Sequence, residues 1–110
     1  MRWYQSLRRQ SDFVAVRRRG RRANFPTVAA YALDGHGPSR IGVTVSKAVG
    51  GAVVRNLVRR RIQGALDGIG PGAASLRLVF VAKPEAAREP YERLALDVES
   101  ALARLARPAG

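Results

Sequence analysis

Five side chains repeat at helical spacing and carry the chemistry of anion recognition: Arg55, Asn56, Arg59, Arg60 and Gln63. At about 100° per residue they share one face of a helix running from about Gly51 to Leu66, with Val54, Leu57, Val58, Ile62 and Ala65 opposite. A guanidinium is planar, always charged and donates in pairs, which matches phosphate oxygens. An apolar stripe on the other side packs on a sheet or a second helix. This segment therefore predicts a helix that docks on a core and presents a cationic plate to a polyanion. Arg61 falls toward the apolar side, from where it snorkels to the edge and still reaches a bound polyanion.

A second basic block, Arg17, Arg18, Arg19, Arg21 and Arg22, lies upstream. It reads either as a solvated helix end that complements the helix dipole or as a surface that steers an anion. Phe13 and Tyr31 are the candidates for stacking unpaired bases, a contact of about 1–3 kcal/mol per base. Phe13 reads equally well as core. Tyr31 favours the binding role, because a phenol beside an open sheet face needs a polar outlet.

Chemistry by the protein itself finds little support. The one histidine, His36, sits in a Gly-rich turn with no orienting partner in the sequence. There is no cysteine nucleophile, and Ser46 and Ser75 have no recognisable base. Three isolated aspartates within residues 1–83 are too sparse for a two-metal site. Gly50-Gly51 precedes a helix, as a phosphate loop does, but the Walker spacing and its Lys-Ser/Thr pair are missing. No catalytic residue and no metal ligand is assigned to the chain.

The 110 residues bound one domain with a modest core. The formal net charge is +12, above the roughly 2 to 8 that solubility asks of a small domain. It is also local: residues 1–83 hold 16 basic and 3 acidic residues, against 4 and 5 in residues 84–110. That asymmetry favours a defined anionic docking surface. The absence of cysteine fits a cytosolic setting. No apolar stretch approaches the roughly 20 residues that span a bilayer, and no secretory core is present. Cytoplasmic localisation without membrane contact is the expectation.

The elements that must position these groups read as follows. Ser11 caps a short helix through about Arg19, stopped by Gly20. Thr27 to Leu33 reads as a strand, and Asp34-Gly35-His36-Gly37-Pro38 as a turn. Arg40 to Lys47 alternates and predicts a second strand, joined to the first as an antiparallel hairpin. The basic helix follows, broken by Gly68-Ile69-Gly70-Pro71-Gly72. Leu76 to Ala82 is a buried strand. Pro90 opens a last helix through Tyr91, Leu94, Ala95, Val98, Leu102 and Leu105, with Glu92, Arg93, Asp97, Glu99 and Arg104 on a solvated face. A short extra strand falls near Arg21–Asn24. The fold class is α+β: one small single-domain sandwich over residues 1–110, a mostly antiparallel sheet packed with helices. Residues 1–6 and 107–110 are expected to be flexible.

With these motifs in this order, the chain resembles the protein subunits of bacterial ribonuclease P over almost its whole length. Leu7 with Asp12-Phe13-Val14-Ala15-Val16 and Gly20 looks like the family's N-terminal helix. Ile41-Gly42-Val43-Thr44-Val45-Ser46-Lys47 resembles its sheet strand. Gly51-Ala52-Val53-Val54-Arg55-Asn56-Leu57-Val58-Arg59-Arg60 resembles its Arg-Asn signature, the most specific of these motifs. Val79-Phe80-Val81-Ala82-Lys83-Pro84 resembles its closing strand.

The resemblance implies that the enzyme removes the 5′ leader from precursor tRNA and that the chemistry belongs to a catalytic RNA working with magnesium. It implies two partners, that RNA and the single-stranded leader, with no obligate protein partner. It assigns Arg55, Asn56, Arg59 and Arg60, with Arg61 beside them, to RNA contact. Phe13, Tyr31, Ser46 and Lys47 fall to a leader cleft between the first helix and the sheet, with Arg17 where an aromatic is common. It also implies a left-handed β-α-β crossover. Departures are Gly51 for Asn, Leu57 within the Arg-Asn signature, Gln63 for Arg and Ala48 for Lys. Leu57 is expected to pack on the apolar face, and Arg17 to give a more electrostatic grip. The alternative in another class is a non-catalytic basic RNA-binding protein of ribosomal or chaperone-like kind. A DNA-binding regulator is weaker, since no helix-turn-helix precedes the basic helix.

Overall fold

The structure is a computed structural model that describes residues 2–70 and 75–106. Its elements in chain order are β1 (Gln5–Ser6), α1 (Gln10–Arg19), β2 (Arg21–Asn24), β3 (Val28–Asp34), β4 (Arg40–Thr44), α2 (Ala52–Ile69), β5 (Leu76–Ala82) and α3 (Tyr91–Leu105), with a 3-10 turn at Pro84–Ala87.

The strands form one sheet in the order β1-β4-β5-β3-β2. Its pairings are evenly mixed: β1 with β4 and β4 with β5 are parallel, β5 with β3 and β3 with β2 antiparallel. The expected β3–β4 hairpin is absent, because β5 inserts between them. Local turn chemistry at Asp34–Pro38 marks a reversal but does not choose the neighbour. Strand β5 carries Leu76, Leu78, Val79 and Phe80, all buried, and so takes the centre.

Period-2 alternation divides the sheet's two faces. Val28, Ala30, Ala32, Ile41, Leu78 and Phe80 point to one side, where α2 and α3 close the main core. Leu7, Val16 and Val79 form a smaller cluster on the other side, with Phe13, Tyr31, Leu33 and Val81 packed against it. The short α1 lies on that second face.

Several boundaries have physical causes that local pattern does not carry. Helix α1 begins after Arg9 without a side-chain cap, and Ser11 lies inside it. It ends at Gly20 in extended conformation, where a Cβ would meet the carbonyl of Ala32 at 2.9 Å, so close backbone approach to β3 requires the glycine. Pro90 is the N-cap of α3 rather than its first residue.

Helix α2 runs on to Ile69 because the chain's first residues clamp its end. Arg2 donates to both carboxylate oxygens of Asp67 (2.9 and 3.1 Å), and Trp3 Nε1 donates to the Leu66 carbonyl (2.8 Å). Tyr4 is buried, and Gln5–Ser6 pairs with β4. The described part of segment 1–6 is therefore built into the fold, not frayed; residues 107–110 lie outside the described residues. Asp97 also departs from expectation. It is 2% exposed, and its Oδ2 accepts from Thr27 N (3.1 Å) and Thr27 Oγ1 (2.7 Å). This carboxylate pins the β2–β3 turn to α3.

Candidate nucleic-acid interface

The site begins with what α1 leaves uncovered. Gly42 in β4 has no side chain, and the Phe13 ring fills that space: a methyl there would stand 3.2 Å from Cε2 and closer still to Cζ and Cε1. A strand glycine often marks such an approach. Phe13 thereby becomes the floor of a groove of about 370 Å³, lined by Gln10, Val14, Arg17, Val43, Thr44 and Arg59 among others. Three elements supply it: α1 one wall, β4 the base, and α2 the cationic rim.

Tyr31 lies half-buried on the same sheet face. Arg17 stands 5.6 Å and Arg22 5.7 Å from its ring centroid. Both are cation–π distances. Arg22 reaches the ring because the β2–β3 register sets it directly opposite Tyr31. Cross-strand registry is what places it, and the sequence block alone names Arg22 only as one of five basic residues. Phe13, Arg17, Tyr31 and Arg59 thus lie on one side of the molecule, with apolar rings between guanidinium groups.

Helix α2 divides along its length. Val58, Ile62, Ala65 and Leu66 are buried on the core. Its first two turns are not: Val53 is 84% exposed, Leu57 40% and Val54 38%. The expectation that Val54 and Leu57 pack on the apolar face is therefore wrong. Apart from half-buried Arg55, residues 52–57 are exposed, so this end of the helix stands largely clear of the sheet layer. Arg55 and Arg59, one turn apart, are half-buried; Asn56 and Arg60, likewise one turn apart, are exposed. The Arg55 Nε is buried without a hydrogen-bond partner. A buried orphan donor costs about 1–3 kcal/mol until an acceptor arrives, and a phosphate oxygen is such an acceptor. Arg61 is half-buried toward the flank, in line with snorkelling.

Ser46 and Lys47 are exposed in the turn from β4 to α2, beyond the groove's lining. His36 is exposed, and the group it uses is its backbone carbonyl, which accepts from Arg77 Nη2 at 2.7 Å. Among the described residues no group of three or more His, Cys, Asp or Glu converges as a metal cage. Among the same residues no helix is long and apolar enough to cross a membrane. The groove holds donors, the Phe13 ring and no acids, with Tyr31 on the same sheet face beside Arg17. It can grip a flexible polyanion with bases to stack.

Comparison with known proteins follows the same line. The family model for ribonuclease P matches residues 1–106. The chain is similar to the ribonuclease P protein component of Thermobifida fusca, 41% identical over 94% of this chain and 78% of that one. It is 42% identical to that of Streptomyces bikiniensis, over 90% and 89%. Among solved structures, a Staphylococcus aureus RNase P protein mutant with defective mRNA degradation activity superposes with a TM-score of 0.83 over 90% and 86% of the chains, at 20% identity. The RNase P protein from Thermotoga maritima gives 0.75 over 96% and 99%, also at 20% identity.

Proposed function

The chain belongs to the ribonuclease P protein family, and from that premise we propose that it is the RNA-binding subunit of a ribonuclease P that removes the 5′ leader of precursor tRNA in the cytoplasm. The groove carries this reading. A single strand laid along it stacks bases on Phe13 and Tyr31 while Arg17, Arg22 and Arg59 meet its phosphates. Arg55, Asn56 and Arg60, on the end of α2 that stands clear of the sheet, face the catalytic RNA, with Arg61 beside them and Ser46 and Lys47 at the margin.

The division of labour follows from the residue types. The protein binds, orients and neutralises; the cut is assigned to the RNA partner with magnesium held among its phosphates. Bringing two polyanions together is costly in repulsion, and fixed guanidinium groups reduce that cost without adding metal ions. The protein thereby lowers the magnesium concentration at which the RNA works.

Cleavage of precursor tRNA by the matching catalytic RNA at low magnesium, with and without the protein, is the test. Restored cleavage at the correct 5′ position supports the reading. Tight RNA binding that leaves cleavage unchanged overturns it, and describes a basic RNA-binding domain instead.

A further inference from the structure

On the flank of α1 away from the groove lies a second basin of about 420 Å³. Arg9, Arg19, Arg40 and Arg77 line it with Asp12 and Asp34, over an apolar floor of Val16 and Leu33. Its charge is poorly compensated. Asp34 is engaged by Arg21 at 3.2 Å. Arg77 donates to the neutral carbonyls of His36 and Pro38 and keeps its charge in place. Among the described residues Arg9, Arg19 and Arg40 take part in no ion pair. Four guanidinium groups thus face one uncommitted carboxylate, Asp12. The helix dipole does not account for them: Arg9 sits at the N-terminus of α1, where a cation is disfavoured, and Arg40 is on β4.

The basin is also connected to the groove. Arg17, Arg18 and Arg19 are consecutive and fan about 100° apart around α1. Arg17 lines the groove, Arg18 and Arg19 a shallow depression on the helix's outer side, and Arg19 the basin. A cationic path therefore passes over α1.

We infer that the basin is a second phosphate site, which takes phosphodiesters of the same single strand after it leaves the groove and crosses α1. This inference rests on the leader-binding reading above.

Precursor tRNAs with leaders shortened stepwise from the 5′ end test it, bound to the full-length protein assembled with its matching catalytic RNA across a salt series. The native protein is compared with Arg9→Gln/Arg40→Gln; Arg19→Gln repeats the measurement without touching the α1 N-cap or β4. The variants are expected to bind the shortest leaders as the native protein does and to lose the affinity gained on lengthening. For the double variant the salt slope with long leaders falls by about 1.4, at about 0.7 per single-strand phosphate contact. Native-like binding at every leader length overturns the second site. A loss that is equal at every length, leaderless tRNA included, places the basin on the catalytic RNA and overturns the occupant. If the native protein itself ignores leader length, the leader reading fails and this inference with it.

Discussion

Replacing Gly42 by alanine tests how the groove is built, because the structure predicts a sign change on a second background. The added methyl falls inside contact distance of the Phe13 ring, 3.2 Å from Cε2 and nearer to two other ring carbons, where ordinary contact begins near 3.4 Å. The ring must retreat by on the order of 1 Å, and overpacking of this kind costs about 1–3 kcal/mol. Alanine also removes the entropic penalty of glycine in a strand, a gain of about 0.5–1 kcal/mol. The expected net is a loss of about 1 kcal/mol, a fall in Tm of about 4 °C or more for a domain of this size. In a Phe13→Ala background the clash is gone and only the gain remains, so Gly42→Ala should then stabilise. Denaturant melts of the four proteins in this cycle measure the coupling. Equal destabilisation in both backgrounds would refute the claim that the ring occupies the space above Gly42.

Other consequences are equally direct. Arg55→Ala should weaken assembly with the catalytic RNA and lower the salt slope by about 0.7 to 0.9, read from binding titrations; an unchanged slope removes Arg55 from the phosphate contacts. Asp97→Ala strands Thr27 N and Oγ1, both buried, and leaves Arg93 Nε without the Oδ1 at 3.5 Å, so chemical denaturation should show a loss of about 3 kcal/mol. Tyr4→Phe should cost no stability in the same assay, because the Tyr4 hydroxyl is buried without a partner. Burial raises the Tyr4 pKa, Arg2 opposes this and Asp67 adds to it. The folded state thus holds that proton more tightly than an unfolded tyrosine, which titrates near 10. Its contribution is present in full below about pH 10 and is lost as pH rises through the folded value. Melts between pH 9 and 11 should show a smaller decline for Tyr4→Phe than for the native chain.

What the sequence showed and what it hid differ by range. The amphipathic rows of α2 and α3 and the apolar run of β5 are written within a few residues of themselves, so their type and place were readable. The neighbour of each strand is a property of distant residues. The turn at Asp34–Pro38 looks like a hairpin until β5, some forty residues later, takes the place between. Phe13 and Tyr31 were legible as candidates by type, and Arg59 by spacing. Gly42, which seats the Phe13 ring, and Arg22, which faces Tyr31 across a strand pair, depend on contacts between elements. Asp97 looked like one more solvated acid because periodicity cannot see Thr27 approaching it. Leu57 was expected to pack because periodicity assumes that a helix is covered along its whole length.

The central position of β5 also bears on synthesis. The strands on either side of it, β3 and β4, leave the ribosome first and cannot pair with each other in the native sheet. Until residue 82 emerges, the nascent chain holds two open strand edges and a surplus of arginine beside the ribosome's own RNA. Closure is then a late and non-local event, joining β5 to partners up to about fifty residues earlier, and the last helix can dock only afterwards. Stalled chains of increasing length should acquire protease protection abruptly, once β5 and α3 are free, not by gradual accretion. A protein whose work is to receive RNA thus spends its unfolded life as a sticky polycation among RNA, and its last strand ends that exposure.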